Sequence, residues 1–261
     1  MQGRSFRQDR IWLLAGTGEG PHLAAALARH GWRVSVSVVT AAAARAYDGL
    51  DLDQIKVGAL DGPEAISSEL KMKDPFRWVV DATHPFALTI SAELRSICSL
   101  RNLTLIRYER PDHAVDEASL LESVQDLAGC ALSGHRLLLA VGARQLASAA
   151  AAARLAGARV HARVLPTAEA IRLAGLAGLS GEQLAVLRPG SGERTGGLEA
   201  ALCRRWEITD VLCRQSGGAA DQLWSELARQ CSIRLWKLKR PAPLLGVDAV
   251  HSVNQLCRQL D

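Results

Sequence analysis

Short apolar runs alternate with longer Ala/Leu-rich stretches along most of the chain. Ile11–Ala15 reads as a strand and Pro21–His30 as a helix closed by Gly31. Arg33–Val39 is a second, Val-rich strand. Pro63–Lys73 reads as a helix, Arg77–Asp81 as a strand, Pro85–Leu100 as a helix and Thr104–Tyr108 as a strand. A break follows at Arg110-Pro111-Asp112-His113, where Pro and polar residues suit a linker. The alternation then restarts. Leu120–Leu127, Gln145–Leu155, Thr167–Leu176, Leu198–Trp206, Ala220–Gln230 and His251–Leu260 read as helices. Arg136–Val141, Arg159–Val164, Gln183–Leu187, Asp210–Arg214 and Ile233–Lys237 read as strands, with a glycine-rich loop at Pro189–Gly197. This is the signature of parallel sheets covered on both faces. The expected fold is α/β, with two Rossmann-like parallel-sheet domains spanning residues 1–112 and 113–261.

Composition narrows the partners. The chain has 261 residues, 48% hydrophobic and 22% charged, enough for full cores and typical of a soluble protein. The formal net charge of +4 is spread without a basic stripe, and the six Trp do not interleave with basic clusters. Nucleic acid is therefore not an expected partner. The polar N-terminus and the absence of an apolar run of membrane-spanning length point to the cytoplasm. The six cysteines lack metal-ligand spacing, so they read as small core residues and no metal is expected.

Three strand ends carry candidate chemistry. Gly16-Thr17-Gly18-Glu19-Gly20 follows the first strand and precedes a helix opened by Pro21. Glycines there let the backbone approach a phosphate, and the N–H groups of the helix start attract its charge. The spacing departs from G-x-G-x-x-G, and an ordinary tight turn is the competing reading. The second strand ends in Thr40, then four alanines and Arg45, with no carboxylate before Asp48. A hydroxyl and an Arg suit a ribose 2′-phosphate, so NADPH is expected over NADH. Asp81-Ala82-Thr83-His84-Pro85-Phe86-Ala87 clusters Asp, Thr and His at the end of the Arg77–Asp81 strand. Thr83 or His84 is expected to cap the next helix, with Pro85 as its first residue.

The segment Asp81–Ala87 closely resembles the signature of the precorrin-6A reductases. Gly16–Glu19 is similar to that family's G-T-x-E turn, and Arg107-Tyr108-Glu109-Arg110-Pro111 to its R-Y-x-R-P segment. Val141–Leu146 is similar to its G-S-R-x-L turn, Arg163–Pro166 to R-x-L-P, and Ser216-Gly217-Gly218 to K-x-S-G-G. Two departures stand out: Arg214 replaces the family's Lys, and Arg188–Glu193 has Gly where G-P-F-S-x-E has Phe.

The resemblance implies an NADPH-dependent oxidoreductase of the corrin branch of tetrapyrrole biosynthesis, with its active site in the cleft between the two domains. It would reduce one double bond of precorrin-6A, or its cobalt form, to give precorrin-6B on the way to cobalamin. The implied partner is a polycarboxylate tetrapyrrole, with room for neighbouring pathway enzymes. Gly16, Thr17, Gly18, Glu19, Thr40, Arg45 and Thr83 are the expected cofactor contacts. Arg107, Arg110, Arg144, Arg214, Ser216, Gly217 and Gly218 are expected to bind substrate carboxylates. His84 and Asp81 are the catalytic candidates: His84 is a proton donor, with a substrate-carboxylate contact or a structural cap as its competing roles, and Asp81 is expected to orient neighbouring backbone or ribose more than to act on the ring. A short-chain dehydrogenase fits poorly, because Tyr47 and Tyr108 are followed four residues on by Asp51 and Asp112. The alternative from another class is a non-catalytic NADP(H)-sensing or ligand-binding module, which the glycine turn alone permits.

Overall fold

The computed structural model describes residues 9–71, 74–111, 118–188 and 196–260. Residues 112–113 of the expected linker and 189–195 of the glycine-rich loop lie outside them. The chain divides into two compact units, Met1–Arg110 with Pro241–Asp261, and Pro111–Arg240.

The first unit is built on β1 (Arg10–Ala15), β2 (Arg33–Val38), β3 (Gln54–Val57), β4 (Phe76–Ala82), β5 (Thr104–Tyr108) and a sixth strand at Asp248–Val250. All neighbours pair in parallel, and the sheet reads sixth–β5–β4–β1–β2–β3. From the other edge this is the doubly wound order 3-2-1-4-5-6. Every residue of β1 is buried, which is why this strand reads as a continuous apolar run. Helices α1 (Gly20–Arg29), α2 (Ala41–Ala44), α3 (Gly62–Glu69) and α4 (Leu88–Leu100) connect the strands.

The second unit is built on β6 (Ser119–Leu121), β7 (Arg136–Leu139), β8 (Arg159–Val164), β9 (Leu184–Val186), β10 (Asp210–Arg214) and β11 (Arg234–Leu238). Its parallel order is β6–β11–β10–β7–β8–β9. Numbering from β7 gives 3-2-1-4-5 again, with β6, which enters first, in the sixth place. Helices α5 (Leu146–Leu155), α6 (Ala168–Leu176), α7 (Gly197–Arg205) and α8 (Ala219–Cys231) complete this unit. The strand at Asp248–Val250 is β12, and α9 (Val253–Leu260) follows it.

The expected 113–261 domain is therefore corrected: its tail belongs to the first unit. β12 pairs with β5, setting Val250 opposite Tyr108, and Leu256, Cys257 and Leu260 of α9 join the core that holds Ile11, Leu23 and Val34. The Leu120–Leu127 helix is also corrected. Ser119–Leu121 pairs with Trp236–Leu238, and a Ser123/Asp126 capping box opens only a 3₁₀ turn over Val124–Gly129. Pairing with β11 overrides the local helical pattern.

Candidate functional site

In each unit the strand order reverses between the first and fourth strands, the place where ligands of doubly wound sheets bind. In the first unit the reversal lies between β1 and β4. β1 delivers Gly16-Thr17-Gly18-Glu19, and α1 starts at Gly20 with Pro21 in its first turn. A Cβ on Gly18 would meet nothing within 4 Å, so this backbone faces open space. A Cβ on Gly16 would stand 3.5 Å from Thr83 Cα and His84 N, and the Thr17 hydroxyl donates to the Ala82 carbonyl at 3.4 Å. The β1 turn thus rests on the β4 loop. Arg110, expected at the substrate, lies with Nη1 3.6 Å from the Glu19 carboxylate and offsets an acid that would repel a phosphate.

Tyr47 was not foreseen. Its hydroxyl sits where a Cβ on Gly20 would come within 2.1 Å, so only glycine admits it. Burial pushes its pKa up to about 12. Tyr47 ends the 3₁₀ turn that carries the exposed Arg45. Thr40 caps α2, its hydroxyl accepting from Ala43 N–H at 3.2 Å, which gives it a structural duty beyond the expected cofactor contact.

At the end of β4, Asp81 is fully buried. Its Oδ1 accepts from Thr83 N–H (3.0 Å), the Thr83 hydroxyl (2.7 Å) and Arg107 Nη1 (2.7 Å), and its Oδ2 from the Ser91 hydroxyl (2.5 Å). Arg107 also donates through Nη1 to Thr83 Oγ1 at 3.0 Å and through Nη2 to the Thr83 carbonyl at 3.1 Å. Asp81 thus orients neighbouring backbone, one of the two roles expected of it over action on the ring. The expectation for Arg107 is corrected: its buried guanidinium is turned onto Asp81 and Thr83 and not outward to a substrate carboxylate. The capping role is corrected too: α4 starts at Leu88, Ala87 is its N-cap, and no side chain caps it. His84 is half-buried, and its Nδ1 accepts from Phe86 N–H at 3.2 Å. A neutral ring in that bond carries its proton on Nε2.

In the second unit the reversal lies between β7 and β10. Gly142 has φ +86°, and a Cβ there would meet Arg214 Nη2 at 3.2 Å. Arg214 donates from Nε and Nη2 to Gln145 Oε1 at 3.3 and 3.1 Å. Its burial, and then the charge of nearby Arg144, push the guanidinium pKa down. Arg144 itself is exposed. Ser216 and Gly217 are buried; Ser216 N–H donates to the Arg214 carbonyl at 2.7 Å and Gly217 N–H to Asp221 Oδ2 at 2.9 Å. These two amides, expected at substrate carboxylates, are engaged within the protein instead. The Gly218 carbonyl accepts from Asp221 N–H at 2.9 Å at the start of α8. Asp221 also pairs with the buried Lys237 Nζ at 2.7 Å. A Lys inside the apolar run Leu235–Leu238 was the signal for that pair. No group of three or more His, Cys, Asp or Glu among the described residues is placed to hold a metal. No helix among them is long and apolar enough to cross a membrane.

The chain is similar to known proteins along nearly its whole length. A cobalt-precorrin-6A reductase of Synechocystis sp. is 31% identical over 95% of this chain and 96% of its own length. A cobalt-precorrin-6A reductase of Salmonella typhimurium is 30% identical over 93% and 92%. A precorrin-6A reductase of Mycobacterium tuberculosis is 29% identical over 94% and 95%. A solved structure described as CobK precorrin-6A reductase shares the fold at TM-score 0.73 and 23% identity, over 97% of this chain and 96% of that one. The family model "Precorrin-6x reductase CbiJ/CobK" matches residues 10–261, and the chain belongs to that family of oxidoreductases.

Proposed function

We propose that the protein reduces one double bond of precorrin-6A, or of its cobalt form, with NADPH. The observation that carries this reading is the glycine turn over open space at the β1/β4 reversal, in a chain of this family. The nicotinamide, when bound, supplies the hydride. Gly16 and Gly18 leave room for the diphosphate at the start of α1, and the Arg110–Glu19 pair keeps that approach from being anionic. The exposed Arg45, with no carboxylate at the end of β2, favours a 2′-phosphate. Arg144 and Arg214 bind carboxylates of the macrocycle. His84 is the proton source. The first unit is thus the dinucleotide unit, the second the substrate unit, and the cytoplasm is their setting.

The test is anaerobic turnover with NADPH and either macrocycle. One NADPH oxidised per macrocycle reduced is the expected result. NADPH binding without oxidation by either substrate would favour a sensing module. The ratio of kcat/KM for the two substrates identifies the physiological one.

A further inference from the structure

We propose that Asp81, Ser91 and Arg107 act as positioning residues for the nucleotide by pinning Thr83 beneath the glycine turn. This rests on the reading of Gly16–Gly18 as the phosphate site.

The geometry is one closed network. Ser91 lies in the first turns of α4, Asp81 on β4 and Arg107 on β5, so three elements meet at one carboxylate. All three residues are at least 95% buried. The N–H, carbonyl and hydroxyl of Thr83 are each bonded to Asp81 or Arg107. Ser91 Oγ donates to Asp81 Oδ2 and receives Arg107 Nη1 at 3.3 Å, so it bridges the two charges. Thr83 Cα is in turn what a side chain on Gly16 would touch. The β4 loop is therefore a fixed floor under the β1 turn. A turn held this way presents its amides without first being ordered by the ligand, which raises affinity. Arg107 pairs with Asp81 at 2.7 Å and lies 3.8 Å from the Glu109 carboxylate, so the acids of this floor are not left without a cation.

The experiment compares NADPH affinity, followed by tryptophan fluorescence, with thermal melting for Ser91→Ala, Arg107→Lys and Gly18→Val. Binding is measured well below every melting midpoint. Ser91→Ala removes the bridge but leaves the ion pair, and is expected to raise the NADPH Kd roughly tenfold while the protein stays folded. Arg107→Lys keeps the charge but cannot hold the carbonyl and hydroxyl of Thr83 together, and is expected to raise it more. If Arg107→Lys fails to fold, Ser91→Ala decides alone. A lowered melting temperature with Kd unchanged within twofold in Ser91→Ala would show a purely structural network and overturn the proposal. Gly18→Val separates the two readings. If it abolishes binding while Ser91→Ala does nothing, only the positioning role falls. If it leaves NADPH affinity intact, the phosphate site itself is misassigned, and the positioning role falls with it.

Discussion

The two units wind their strands in the same order but handle charge differently where that order reverses. In the first, Glu19 meets Arg110 and Arg107 meets both Asp81 and Glu109, so each of these acids near the glycine turn has a basic partner. In the second, Asp221 and Lys237 form the matching buried pair, but Arg144 and Arg214 stand close enough for one to depress the other's pKa. In both, a basic residue from the fifth strand reaches an acid that holds the loop after the fourth: Arg107 through Asp81 to Thr83, Lys237 through Asp221 to Gly217. The scaffold is repeated and the surface chemistry is not. A turn whose acids are each paired suits a ligand whose phosphates are held by amides and a helix start. Two adjacent guanidinium groups suit a ligand with several carboxylates.

That contrast breaks most sharply at Gly18. A Cβ there would meet nothing within 4 Å, so a branched side chain should leave the fold intact while it shuts the nucleotide out. Gly18→Val is expected to weaken NADPH binding by roughly a hundredfold or more, with the circular dichroism spectrum unchanged and substrate binding by the second unit intact. Unchanged affinity would remove the first unit's assigned role.

The second unit gives the converse. Arg214 is half-buried, and a charge-assisted hydrogen bond from such a group is worth roughly 1.5–3 kcal/mol, so Arg214→Ala should raise KM for the macrocycle about ten- to a hundredfold. Arg144 is exposed and should contribute only about two- to fivefold. NADPH affinity should stay constant in both, and added salt should raise the wild-type KM more than that of either variant. Loss of NADPH binding in Arg214→Ala would mean that the two reversals have been assigned to the wrong ligands.

Below the ligand ends, the units are alike again. Asp53 accepts from Arg10, Arg33 and Ser35, and Asp210 from Arg234, Thr209 and Trp236, with His135 Nδ1 at 2.7 Å. Burial alone would raise both carboxyl pKa values, but these partners outweigh it and hold both below the usual range. A depressed carboxyl contributes stability in full above its unfolded value of roughly 4 and loses it as pH falls through the folded value. Asp210→Asn should therefore lose about 1–3 kcal/mol at pH 7 and show a flatter decline below about pH 4 than wild type. Urea melts from pH 7 to 3 check this; an identical acid slope in the variant would assign the acid sensitivity elsewhere.

What was legible in the chain follows from what each signal depends on. Buried central strands such as Ile11–Ala15 and Asp210–Arg214 announce themselves, because both faces must be apolar. β3, β6 and β12 are sheet edges. β3 is exposed throughout, and β6 and β12 have three residues each, so no periodic pattern forms. The return of residues 241–261 to the first unit depends on pairing with a strand more than a hundred residues earlier, which local pattern does not encode. The glycine turn and the Asp81–His84 cluster were visible as types of residue at strand ends. Their roles were not, because an Arg at a strand end reads the same whether it points outward, as Arg144, or inward, as Arg107. Ser91 offered only a small polar residue on the buried face of a helix.

The smallest expected effect sharpens the comparison within the first unit itself. Arg45 is exposed on a short turn anchored by Tyr47 against Gly20, while the glycine turn lies next to that anchor. The diphosphate site is common to NADPH and NADH, so Gly18→Val should damage both equally. Arg45 would touch only the 2′-phosphate, so Arg45→Ala should weaken NADPH and leave NADH as it was. An exposed ion pair is worth roughly 0.2–1 kcal/mol, so the NADPH Kd should rise only about two- to fivefold. Salt should shrink the wild-type preference for NADPH, because screening acts on the same pair of charges. Tyr47→Leu adds a second handle. It keeps an apolar anchor but removes the hydroxyl seated over Gly20, and the freed turn should lower the NADPH/NADH ratio without changing NADH binding. Fluorescence titrations of both nucleotides with wild type and the two variants measure that ratio. If Arg45→Ala weakens both nucleotides alike, or neither, the 2′-phosphate is held elsewhere and the end of β2 does not select the cofactor.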